Sequence, residues 1–168
     1  MVKYIYILLA ISCAAFTCNK DNIEDCKPES FEHFFQASKT IDTIRSVQNN
    51  STIEQYQYEI KEGNNLVFKY IHHFRDCPQI ADDEGNITIV FEVPPATNHF
   101  RIEDSIELRK AKTIIAYNCF CGYRGPSIVK KGWIEGHIVN TNKWRIKANL
   151  NHPGSSDAIL VDKEFVLQ

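Results

Sequence analysis

The residues best suited to chemistry are cysteines, histidines and carboxylates. Cysteines stand at 13, 18, 26, 77, 119 and 121. His72, His73 and Cys77 precede a turn, and Cys119-Phe120-Cys121 adds two soft donors, a set of types that suits a metal such as zinc. The spacing matches no paired Cys-x-x-Cys zinc motif. His72 and His73 are neighbours, so on a strand they point to opposite faces. Disulfide bonding uses the same cysteines with fewer demands. Asp82, Asp83 and Glu84 offer hard oxygen donors that could hold Ca2+ weakly, and a solvated acidic loop is the simpler reading. Glu54, Glu59, Glu92, Glu103, Glu107 and Glu135 could include an acid–base pair for sugar hydrolysis, yet nothing in their spacing singles out two. His99, His137 and His152 are isolated in sequence, and His137, beside Gly136, reads as a surface or edge residue. Trp133 and Trp144 could be platforms for a sugar or peptide. Trp144 shares a strand face with Ile146 and Ala148 and reads as core. There is no Gly-rich phosphate loop, Gly-x-Ser-x-Gly elbow or His-Glu-x-x-His helix, and no motif asks for a cofactor.

The amino terminus sets the redox context of these thiols. Met1-Val2-Lys3 is a short positive segment, and an apolar run extends from Tyr4 to Phe16. That length suits a signal peptide over residues 1–17 and is short for a spanning helix, which needs roughly 20 apolar residues. The sequence Ala15-Phe16-Thr17-Cys18-Asn19-Lys20-Asp21 resembles the lipobox of bacterial lipoproteins, which implies a lipid on Cys18. Ala15 and Thr17 depart from the usual leucine and small residue, and Cys13 is a second candidate. A lipid there would make the membrane a partner, since each buried CH2 contributes about 0.8 kcal/mol. The alternative is ordinary cleavage and a soluble secreted protein. With Cys18 acylated, Cys26, Cys77, Cys119 and Cys121 remain, an even number that outside the cytoplasm reads as two disulfides. Cys119 and Cys121 lie at i and i+2 of a strand-like run with Cα atoms about 7 Å apart, at the edge of what a bridge tolerates. Each is therefore expected to pair elsewhere, with Cys77 and Cys26 as the partners.

The elements that must position these residues are mostly strands. Residues 18–38 read as an anchored tether and N-terminal segment, and 39–168 as a single β-rich domain. Phe31, Phe34, Phe35 and Ser38 fall at helical spacing after Ser30 and are compatible with a short helix; Thr40 to Val47 reads as strand. Tyr56, Tyr58 and Ile60 share one face, and Leu66, Phe68 and Tyr70 share the next, which predicts a hairpin around Lys61–Asn65. Ile87, Ile89, Phe91 and Val93 alternate until Pro94-Pro95, and Thr113, Ile115, Tyr117 and Cys119 alternate again. A strand is expected from Ile128 to Val139, with Gly132 and Gly136 marking bulges or close backbone approach. Trp144, Ile146, Ala148 and Leu150, opposite Arg145, Lys147 and Asn149, form the cleanest half-buried strand, and residues 158–167 form the last. Seven or eight strands with short turns and no βαβ rhythm predict an all-β fold, an antiparallel β-sandwich or alternatively a small β-barrel. The 43% hydrophobic content supplies a core for about 150 mature residues, and a net charge of −2 gives no basic track for nucleic acid.

The segments Cys77-Pro78-Gln79-Ile80-Ala81-Asp82-Asp83-Glu84, Phe91-Glu92-Val93, Cys119-Phe120-Cys121 and Gly132-Trp133-Ile134-Glu135-Gly136 followed by Trp144 resemble those of small lipoproteins of Bacteroidota. The resemblance spans roughly residues 66–150 and implies export and a β-rich fold, with no known activity. Asp42-Thr43-Ile44 and Asp104-Ser105-Ile106 are similar to the sites that these bacteria O-glycosylate, which would modify Thr43 and Ser105. Asn49, Asn50 and Asn86 begin Asn-x-Ser/Thr sequons, relevant only in a eukaryotic host. The expectation is a non-enzymatic cell-envelope lipoprotein that binds a protein or glycan through its loops, on the periplasmic or outer face. A secreted hydrolase of glycan or peptide and a metal-binding envelope protein are the alternatives. Two convergent carboxylates in a deep pocket, or a histidine bonded to a nucleophile, would favour the hydrolase.

Overall fold

The structure, a computed structural model, describes residues 26–46, 55–77, 80, 85–119, 124–152 and 158–168. Among the described residues ten strands and one short helix follow in chain order: β1 Ser30–Ser46, β2 Gln55–Glu62, β3 Asn65–His73, β4 Gly85–Val93, β5 His99–Ile102, α1 Ser105–Lys110, β6 Ile114–Cys119, β7 Arg124–Ile128, β8 Lys131–Asn140, β9 Lys143–Asn151 and β10 Ala158–Leu167. The all-β expectation holds. The strands form one hydrogen-bonded sheet in the order β5-β8-β9-β10-β1-β3-β4-β6-β7, with β2 attached to β1. This sheet curls into a half-barrel, so that its two halves face each other as the layers of a sandwich would. The sheet is mixed, because β1 and β10 run parallel, with Phe34 opposite Val166 and Phe35 opposite Leu167.

Two sequence expectations give way to pairing. The Phe-rich segment after Ser30 is strand, not helix. Phe31, Phe34 and Phe35 fit either periodicity over so short a stretch, but pairing to β3 on one side and β10 on the other satisfies the backbone on both edges. Phenylalanine is also at home in a sheet. The expected hairpin between Tyr56–Ile60 and Leu66–Tyr70 is likewise absent. Both strands pair with β1, at different points along it: Ile41 faces Ile60, and Phe35 faces Phe68. The switch occurs where the register shifts between Gln36 and Lys39, at Ser38 with φ 56°. That left-handed residue turns β1, so its second half carries β2 across the outer face of the sheet.

The turn creates two cores. The concave side holds the larger, centred on Phe68, whose ring lies 4.9 Å from Phe91 in a stacked pair and meets Trp144 edge-on at 5.6 Å. Trp144, Ile146, Ala148 and Leu150 are all buried there, as their alternation predicts. The outer core is smaller. Ile41, Val67, Val90, Ile114 and Ile128 pack under Tyr56, Tyr58 and Ile60 of β2. Strands β3, β4 and β6 are thus covered on both faces, which explains near-continuous apolar runs such as Ile89-Val90-Phe91. Glu92 clasps the two layers together. Its carboxylate accepts from the Thr40 hydroxyl at 2.9 Å and the Ile41 backbone N–H at 2.6 Å, and it pairs with the Lys112 ammonium at 2.9 Å. The strand expected from Ile128 onward divides instead into β7 and β8. Gly132, at φ 122°, lies so close to β9 that a Cβ would sit 2.2 Å from the Asn149 carbonyl oxygen, the close approach its position suggested.

Candidate cleft at the disulfide end

The chain enters the fold through a covalent and hydrogen-bonded clamp. Cys26 and Cys77 form a disulfide with Cα atoms 4.2 Å apart. Next to it, Lys27 and Asp76 make an isolated antiparallel bridge: the Lys27 N–H donates to the Asp76 carbonyl at 2.7 Å, and the Asp76 N–H returns a bond at 3.2 Å. Their side chains add an ion pair at 2.7 Å. The expectation that Cys26 and Cys77 would pair with Cys119 and Cys121 is therefore wrong. The Lys27–Asp76 bridge sets Cys26 beside Cys77 at the end of β3. Cys119 is also disulfide-bonded. Cys121, Cys18 and Cys13 fall outside the described residues, as do Asp82 to Glu84, Glu54, Asn49 and Asn50.

The clamp walls a cleft of about 730 Å3. Its floor is one cross-strand row, because Ser30 of β1 faces His73 of β3, His73 faces Asn86 of β4, and Asn86 faces Asn118 of β6. The His73 ring nitrogen Nε2 lies 2.9 Å from a Glu32 carboxylate oxygen. The Asn118 amide donates to Asn86 Oδ1 at 2.9 Å, and the Thr88 hydroxyl donates to the same oxygen at 3.3 Å. Phe74 and Tyr117 also line the cleft, with their rings packed against the main core. Gly85 has no room for a side chain, since a Cβ would lie 2.7 Å from the Asn118 carbonyl oxygen and 3.1 Å from the Phe74 ring. Lys27 is ion-paired with Asp76 in the cleft, and the Glu32 carboxylate is held against the His73 ring. Neutral hydrogen-bonding groups thus make up the remaining polar surface of the floor.

The other sequence candidates are dispersed. His72 turns to the opposite face from His73, stacks on Phe31 at 4.5 Å and lies 3.2 Å from Glu29. With Cys77 and Cys119 oxidised, neither supplies a thiolate, so the metal set of His72, His73, Cys77, Cys119 and Cys121 is not assembled among the described residues. Glu135 is ion-paired with Arg101 at 2.7 Å, and Glu107 accepts from the Glu103 backbone N–H at 3.0 Å; among the described residues, no two of these candidate glutamates converge on the cleft. Asp104 is the N-cap of α1, accepting from the Ile106 and Glu107 N–H groups at 2.8 Å, with Ser105 exposed beside it, and Thr43 sits half-buried on β1. Trp133 lies on the outer face 5.3 Å from the Arg101 guanidinium, and buried His152 meets the Tyr117 ring edge-on at 4.8 Å. The cleft itself was not legible in the sequence. His73, Asn86 and Asn118 meet through register alone, and only the cysteines flag that end of the fold.

The disulfide fits a compartment outside the reducing cytoplasm. No helix among the described residues is long and apolar enough to cross a membrane. Comparison with protein-family models, curated proteins and solved structures finds no match, so the geometry of the cleft carries the functional reading.

Proposed function

We propose that this is an exported envelope protein, lipid-anchored through Cys18, that binds a neutral, hydroxyl-rich ligand such as a glycan in the cleft at its disulfide end. The observation that carries the reading is the hydrogen-bonding row Ser30–His73–Asn86–Asn118 along the cleft floor, beside the Lys27–Asp76 clamp. Sugars need many neutral hydrogen-bonding partners. The leader and the Cys26–Cys77 bond both support export. Cys26 lies eight residues after Cys18. A fully extended tether of that length spans at most about 29 Å, which would keep the cleft near the membrane.

Two measurements test the reading. Fatty-acid labelling of the full chain in a bacterial host should be lost in Cys18→Ala; label retained in that variant removes the anchor at Cys18. Titration of the purified protein with neutral oligosaccharides, followed by NMR, should move the Asn86 and Asn118 side-chain amides, and Asn118→Ala should weaken binding. Amides that stay still with every sugar tried would remove the ligand class. A hydrolase is the second reading, favoured by the His73–Glu32 pair with Ser30 opposite His73. It predicts glycan or peptide turnover that His73→Gln abolishes.

A further inference from the structure

Two histidines 38 positions apart in sequence meet across β5 and β8, with His99 directly opposite His137. The Ile138 N–H donates to the Asn98 carbonyl at 3.0 Å, which marks 98 and 138 as a hydrogen-bonded pair. Antiparallel pairs alternate, so His99 and His137 form the non-hydrogen-bonded pair next to it, the type with the closer side chains: Cα atoms about 4.5 Å apart and Cβ atoms about 4.5–5.5 Å apart. Both side chains are exposed on the outer face. Neither has a hydrogen bond, ion pair or ring contact among the described residues. The surrounding charges do not repel a cation. Arg101 is paired with Glu103 and Glu135, and Arg145, which stands directly opposite His137 on β9, is neutralised by Asp162 at 2.6 Å. The backbone beneath is fixed, because the Phe100 ring packs against Gly136 and lies 5.6 Å from Trp144.

We propose that His99 and His137 chelate one divalent transition-metal ion on this face. Two imidazoles at this separation can each place a ring nitrogen at the 2.0–2.1 Å typical of such bonds with zinc. Water or an outside ligand fills the remaining positions, since no group of three or more protein donors gathers among the described residues. Imidazole donors on an open site favour Cu2+ over Ni2+ and Zn2+. The site is separate from the cleft and stands whether or not the cleft binds glycan.

The test is titration of the untagged full-length protein in detergent with CuCl2, NiCl2 and ZnCl2, by calorimetry and by NMR of the histidine ring nitrogens. One equivalent should bind, with Cu2+ tightest and both the His99 and His137 rings perturbed. His99→Gln and His137→Gln should each weaken binding at least about tenfold, and the double variant little further, because losing either donor destroys the chelate. His72→Gln should match wild type. Circular dichroism checks that the exposed substitutions leave the fold intact. Absence of saturable binding, or single variants within about threefold of wild type, overturns the proposal.

Discussion

Replacing Cys26 and Cys77 together by serine removes the disulfide that ties the entry segment to the end of β3. The bonded residues are 51 positions apart. In the chain-entropy treatment a loop of that size is worth about 4 kcal/mol. Serine at buried Cys77 adds a hydroxyl to desolvate, and the Lys27–Asp76 bridge loses its tie. Because small domains are stable by only about 5–15 kcal/mol, the loss is a large fraction of the whole. For a chain of this size it corresponds to a fall in Tm of roughly 8–16 °C. The assay is paired thermal and urea unfolding of wild type and the double variant, with non-reduced peptide mapping to establish that wild type carries Cys26–Cys77. A double variant melting within about 2 °C of wild type would refute the reasoning, since the clamp would then add nothing beyond what the sheet already enforces.

Glu92→Ala should destabilise by about 3–5 kcal/mol in urea unfolding, because it strands the Ile41 N–H and takes the counter-charge from Lys112, whose ammonium keeps the Ile41 carbonyl and the Thr40 hydroxyl; the Glu92 side chain is 7% exposed against 33% for Lys112. An effect of the surface-pair size, below about 1 kcal/mol, would contradict the clasp role. Phe68→Ala should cost about 3–5 kcal/mol and collapse the near-ultraviolet circular dichroism, since five aromatic rings surround that side chain. Burial pushes the Tyr58 hydroxyl above the ordinary tyrosine range, and burial with the nearby Glu29 charge does the same to Tyr70. The folded state therefore keeps these protons after the unfolded chain has released them, so stability should hold below about pH 10 and fall as pH rises beyond it. Tyr58→Phe should flatten that fall in urea midpoints taken across the range, and an unchanged slope would count against the assignment.

Single-strand properties were legible because they depend on local alternation. A period of two marks which side chains of Trp144–Leu150 go inward, and the structure buries that set. The close approach at Gly132 could be read for the same reason: a residue without Cβ signals a neighbour that leaves no room. The cysteines suggested an oxidising compartment, and the Cys26–Cys77 bond agrees with it. Partnership was another matter. The Phe31–Ser38 segment suits helix or strand until β3 and β10 flank it, and the turn at Ser38 diverts β2 from the hairpin that its sequence neighbour invited. Which cysteines bond, why Asn86 meets Asn118, and how His99 comes to face His137 all depend on register between strands distant in the chain. Local periodicity can orient a side chain, but it carries no information about what stands opposite, and in this protein the chemistry lies in what stands opposite.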